Sequence, residues 1–161
     1  MHNRFTINNE KKLDPILLVE DEADHARLVT KSLKERGRLL NEIFWVKNGV
    51  EAMKFITQAE PYTDKTAPRP ALILLDLKMP LKDGFEVLKE LKAHPDYKTI
   101  PVVVLTTSIN SDDAKKALDL GANDFIVKPV EFSEFVRKVG QLGNYWGFVS
   151  DSGLGNSESQ R

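Results

Sequence analysis

Apolar residues fall along this chain at two spacings. Five short unbroken runs stand out: ILLV (Ile16–Val19), IFWV (Ile43–Val46), LILL (Leu72–Leu75), VVVL (Val102–Leu105) and FIV (Phe125–Val127). Runs of this length, rich in Val, Ile and Leu, predict strands buried on both faces. Between them the apolar residues recur every three or four positions, the period of a helix with one greasy face. Ala26, Val29 and Leu33 share a face of the first predicted helix, and Gly37 follows as a natural stop. Val50, Met53 and Ile56 line the second, after a turn expected at Asn48–Gly49. Phe85, Leu88 and Leu91 line the third, which ends before Pro95. The fourth, SDDAKKALDLG, is expected to take Ser111 as N-cap and to stop at Gly121. The fifth carries Phe132, Phe135, Val139, Leu142 and Trp146. Strand and helix thus alternate five times. Such alternation predicts an α/β doubly wound parallel sheet with helices on both faces.

Composition narrows the picture by exclusion. With 161 residues the chain has room for one sizeable core. Lys plus Arg number 23 against 24 Asp plus Glu, which argues against nucleic-acid binding through bulk charge. There is no cysteine, so thiolate metal sites, disulfides and cysteine nucleophiles are excluded. The first fourteen residues lack an apolar core, so no secretory signal is expected, and nothing approaches the roughly 20 apolar residues that cross a bilayer. The expectation is a soluble, cytoplasmic protein with no membrane or nucleic-acid partner. It divides into an N-terminal arm (1–14), one domain (15–149) and a polar C-terminal tail (150–161).

In open parallel sheets, ligands bind beyond the carboxyl ends of the strands. The residues expected there are Glu20, Asp21 and Glu22 after the first strand, Asp76 after the third, Thr106, Thr107 and Ser108 at the fourth, and Lys128 and Pro129 after the fifth. Each alone has an ordinary reading: Asp21 a helix cap, Asp76 a turn residue, Thr106 a strand-end hydroxyl, Lys128 a surface cation. Their convergence does not. Three carboxylates forced together repel unless a cation intervenes. All-oxygen ligation suits Mg2+. A lysine and a hydroxyl remain to hold phosphoryl oxygens. Together these are the parts needed for phosphoryl transfer to an aspartate.

At ILLVEDE, LILLDLKMPLKDG (a D-x-x-x-P-x-x-D-G pattern), PVVVLTT and GANDFIVKP, in that order, the sequence resembles the receiver domains of two-component response regulators. The resemblance runs from about Pro15 to Val130. It implies a flavodoxin-like sheet of strand order 2-1-3-4-5. It also implies that Asp76 accepts a phosphoryl group from a histidine of a sensor kinase. Glu20, Asp21, Asp76 and the backbone carbonyl of Lys78 would hold Mg2+, with Asp21 the direct ligand of the acidic pair and Glu20 acting through water. Lys128 would pair with Asp76 at rest and with the phosphoryl group afterwards. Thr106 and Phe125 would be the switch residues, and Thr107 departs from the small residue usual after the switch threonine. Chemistry would be limited to self-catalysed phosphoryl acceptance and autodephosphorylation, so the chain is not expected to be an enzyme in its own right. Output would pass through protein contacts or onward phosphotransfer. RPALILLDLKMPLKDGFEVLKELK, IPVVVLTTS and VEFSEFVRKVGQLGNYW resemble single-domain regulators paired with bacteriophytochrome-type histidine kinases.

A haloacid dehalogenase-type phosphatase also uses Asp, Thr, Lys and Mg2+. However, its nucleophile lies on the first strand in a D-x-D pattern, and here the acidic pair comes first. A flavodoxin-like FMN site needs a phosphate cradle after the first strand, where EDEAD would repel phosphate. The three histidines read as ordinary: His2 in the arm, His25 on an exposed helix face, His94 beside Pro95. Trp45 and Trp146 read as core and helix-packing residues. Tyr145, Phe148 and Val149 fall off the stripe of the fifth helix and are expected to form a homodimer surface or to fold back over the sheet.

Overall fold

The computed structural model describes residues 14–107 and 111–141, the side chain of Ser111 excepted. The arm up to residue 13, Ser108, the helix-packing residues Leu142 and Trp146, and the expected dimer residues Tyr145, Phe148 and Val149 lie outside the described residues, as does His2. Five strands form one parallel sheet of order β2-β1-β3-β4-β5. They are β1 Ile16–Val19, β2 Ile43–Val46, β3 Leu72–Asp76, β4 Val102–Thr106 and β5 Asp124–Val127. The helices are α1 Ala23–Lys31, α2 Gly49–Thr57, α3 Gly84–Ala93, α4 Ser111–Asp119 and α5 Phe132–Gly140. A π-helical turn, Ser32–Arg36, continues α1. The doubly wound α/β architecture expected from the alternation is the one observed.

Because strand side chains alternate between faces, each unbroken apolar run feeds two cores. Leu17, Val19, Ile73, Leu75, Val102 and Val104 face α2, α3 and α4, where Met53, Leu88 and Ala117 meet them. Ile16, Leu18, Leu72, Leu74, Val103 and Leu105 face α1 and α5, where Val29, Phe135 and Val139 close the layer. Burial of one such Leu or Ile stabilises the fold by about 1.5–3 kcal/mol. These two layers fix the strand ends in space.

Five local expectations are corrected. Asn48–Gly49 is a helix start and not a free-standing turn: Asn48 is the N-cap of α2, its side chain accepting from the Glu51 N–H at 2.8 Å. On α2, Val50 is only half-buried, and Ala52 and Phe55 join Met53 and Ile56 in the core. Gly37 does end the first helical segment, but at φ −90°; the left-handed residue is its neighbour Arg38, at φ 55°. Gly37 is small for packing, since a Cβ there would meet the Phe132 ring at 2.0 Å. Trp45 is not a core residue: β2 is an edge strand and the indole is 46% exposed. Ser111 is the first residue of α4, while Gly121 ends that helix at φ +113°, as its type favours.

Candidate functional site

The carboxyl ends of β1, β3, β4 and β5 bring Glu20, Asp21, Asp76, Thr106 and Lys128 together. Strand pairing sets the depth: Val19 is level with Leu75, Asp76 with Leu105, and Thr106 with Val127. Asp76 and Thr106 are the last residues of their strands, one position further into the sheet than the apolar runs alone suggest. The Lys128 N–H donates to the Thr106 carbonyl at 2.7 Å, tying β5 to β4 beside the site. Gly84 holds the floor. Its N–H donates to the Leu77 carbonyl at 2.9 Å, and a Cβ there would lie 2.4 Å from the Asp76 carbonyl oxygen. The preceding Asp83 caps α3 in a reciprocal box with Glu86. Thus the D-G pair anchors a helix directly against the backbone of Asp76.

Four side chains with strong polar demands are withdrawn from water here: Glu20 at 0%, Thr106 at 5% and Asp76 at 8% exposure, with the Lys128 side chain at 7%. Glu20 is satisfied on both oxygens, one taking a hydrogen bond from the Lys128 ammonium and the other from the Glu22 N–H at 3.1 Å. Asp76 is less well served. Lys128 Nζ stands 3.8 Å from its Oδ1. Burial pushes the Asp76 carboxyl up to about 7; the Lys128 charge pulls the other way, while Glu20 and a hydrogen-bonded Asp21 push it further up. Lys128 thus pairs with Asp76 at rest, as expected, but it is shared: its hydrogen-bonded carboxylate is Glu20, whose longer side chain reaches the ammonium first.

Glu20, Asp21 and Asp76 each present a carboxylate oxygen, and the three oxygens lie within 4.8 Å of one another. This hard all-oxygen set, with one carboxyl destabilised by the other two, fits a divalent cation. Lys78 turns its side chain away to Asp113 Oδ2 at 3.7 Å, leaving only its backbone carbonyl as a candidate ligand. Phe125 is half-buried on the same sheet face as Thr106, since its register partner is Val104, two residues earlier on β4.

Two neighbours escaped the sequence reading. His25 Nδ1 lies 3.2 Å from Lys128 Nζ and 3.9 Å from Glu20 Oε2, so this histidine borders the site. Trp45 donates its indole N–H to the Glu20 carbonyl at 2.7 Å. His94 is as ordinary as expected, its Nδ1 accepting from the Asp96 N–H at 3.1 Å beside the Tyr97 ring. A cleft of about 300 Å³ opens next to Lys128, lined among others by His25, Leu28, Thr107 and Val130.

Comparison with known proteins agrees with this geometry. The model of the response regulator receiver domain matches residues 16–140. Response regulator Rcp1 of Synechocystis sp. is 43% identical over 131 residues, 81% of this chain and 87% of that protein. Its Mn2+-bound crystal structure superposes with a TM-score of 0.66 at 41% identity, covering 83% of this chain and 94% of that one. The bacteriophytochrome response regulator AtBRR gives 0.77 at 39% identity, over 86% of this chain and 99% of that one. The phosphorylated cyanobacterial phytochrome response regulator RcpA gives 0.67 at 42% identity, over 83% and 94%.

Proposed function

This chain belongs to the response regulator receiver domain family, and from that premise we propose that Asp76 is its phosphoacceptor. The observation that carries the proposal is a carboxylate at the end of a fully apolar strand, 8% exposed and surrounded by Glu20, Asp21, Thr106 and Lys128. The donor is a phosphohistidine of a sensor histidine kinase. An Asp76 carboxylate oxygen attacks phosphorus, an O–P bond forms, and the P–N bond breaks with its electron pair leaving on the imidazole. Glu20, Asp21, Asp76 and the Lys78 carbonyl would hold the cation. Mg2+, when bound, supplies charge neutralisation for the carboxylates and for the incoming phosphoryl oxygens. As the site fills, Lys128 moves from Glu20 to the phosphoryl oxygens, and Thr106 donates its hydroxyl to another of them. Phe125 follows the space that Thr106 vacates. Water then returns Asp76 to the free carboxylate without a second protein.

The names of the relatives support a kinase of the phytochrome class as the partner, and the cleft beside Lys128 offers room for its phosphohistidine-bearing segment. The receiver spans 15–149, between an arm (1–14) and a tail (150–161). It acts in the cytoplasm through protein contacts or onward phosphotransfer, with a homodimer through the C-terminal helix as one form of output. Among the described residues no helix is long and apolar enough to cross a membrane.

Acetyl phosphate with Mg2+ tests this reading on the intact chain. One acid-stable, base-labile phosphoryl group is expected, absent from Asp76→Asn and suppressed by EDTA. Full labelling of the Asp76→Asn protein would defeat the assignment.

A further inference from the structure

One side chain crosses the free edge of the sheet. Among the described residues β5 is an edge strand, paired only with β4. Phe125 packs against the core beneath α2, α3 and α4. Helix α5 belongs to the opposite layer, where Phe135 and Val139 are buried. Lys138 sits between those two anchors in sequence, yet its ammonium returns to β5. It donates to Asp124 Oδ1 at 3.0 Å and to the Phe125 carbonyl at 2.8 Å, and it stands 4.8 Å from the centroid of the Phe125 ring. The side chain is only 13% exposed, although a lysine ordinarily leaves its charged head in water. Two of its three protons are committed to oxygens, and the ring face receives the charge.

We propose that Lys138 is the positioning residue for Phe125: a strap over the β5 edge that holds the ring in its resting place and joins it to α5. The inference rests on the reading of Phe125 as a switch residue. Phe125 shares its sheet face with Thr106, so a shift at Thr106 is felt first by the ring and then by the ammonium lying on it. The resting state keeps the cation on the ring face, and the switched state gives that contact up. Such a difference in contacts between two states is what biases an equilibrium. The ion pair with Asp124 keeps the strap in register while the ring moves. A lysine serving stability alone would add to the fold without affecting where the ring resides.

The test places 4-fluorophenylalanine at position 125 of the full chain and follows its fluorine resonance with Mg2+, before and after acetyl phosphate. In the wild type a resting signal is expected to move on phosphorylation. In Lys138→Met the unphosphorylated protein is expected to show the phosphorylated position populated about two- to fivefold more than in the wild type. Lys138→Arg restores the resting signal. Asp124→Asn, which keeps the lysine and loosens its anchor, gives a smaller shift in the same direction and serves if the Met variant fails to fold. A resting signal unchanged in both Lys138→Met and Asp124→Asn, beside a wild type that does respond, overturns the strap alone. A wild-type signal that stays put while mass spectrometry shows the phosphoryl group overturns the switch reading and the strap with it.

Discussion

The two ends of the sheet are built on opposite terms. At the amino end, backbone groups close on neutral partners. The Ala71 N–H donates to the Pro15 carbonyl at 2.8 Å, and Asn41 donates to the Asp14 carbonyl at 2.7 Å. Asn123 braces β4 twice, giving its N–H to the Val102 carbonyl at 2.8 Å and accepting the Val102 N–H on Oδ1 at 2.9 Å. Even the half-withdrawn Lys92, whose pKa burial lowers, ends on two carbonyls, of Lys98 and Ile100, at 3.0 Å each. At the carboxyl end, buried charges face one another, and Asp76 is held in a state its surroundings oppose. The first end is satisfied as it stands. The second also has its buried polar atoms partnered, but the ionised form of Asp76 is disfavoured there, and a bound cation would offset that.

That contrast can be broken most severely at Lys128. Lys128→Met leaves Glu20 buried without its cation and is expected to cost about 3–5 kcal/mol in EDTA, with much of the loss recovered in Mg2+. Denaturant melts with and without the ion check this, and a loss indifferent to Mg2+ would contradict it. Asp76 gives the opposite sign. Its folded pKa of about 7 lies above the ordinary 3.8, so folding favours the protonated form. Stability contributed by this group is therefore intact below about pH 4 and is lost as pH rises toward 7. Asp76→Asn should be more stable than the wild type by up to about 4 kcal/mol in EDTA above pH 7, the gap closing near pH 4. Thermal melts across that range measure it. Gly84→Ala should cost about 2–3 kcal/mol, because its Cβ meets backbone atoms of Asp76 and Leu77, and phosphoryl uptake should fall as Asp76 shifts. Asn123→Ala, at the satisfied end, should cost about 1 kcal/mol with phosphoryl uptake unchanged. A change in uptake there would show that the two ends are coupled.

The sequence foretold elements better than side-chain reach. The β1, β3, β4 and β5 runs mark where the strands stop, so the acids behind β1 and β3 and the lysine behind β5 had nowhere to go but the strand ends. Asn48–Gly49 fits both a turn and a helix start, because the two share the same residue types. His25, Trp45 and the pairing of Lys128 with Glu20 depend on the rotamers of long side chains and on the phase of α1 over the sheet, neither of which leaves a periodic trace. Trp45 looked like a core residue because its run is apolar, and nothing in a run says whether its strand lies at the edge.

The indole of Trp45 has a practical consequence. It hangs half in water from the backbone of Glu20, so anything that tugs on the acidic pair changes the polarity around a natural fluorophore. In a Trp146→Phe background its emission becomes an optical gauge of ion arrival at the pocket, read in real time without label, antibody or radioisotope.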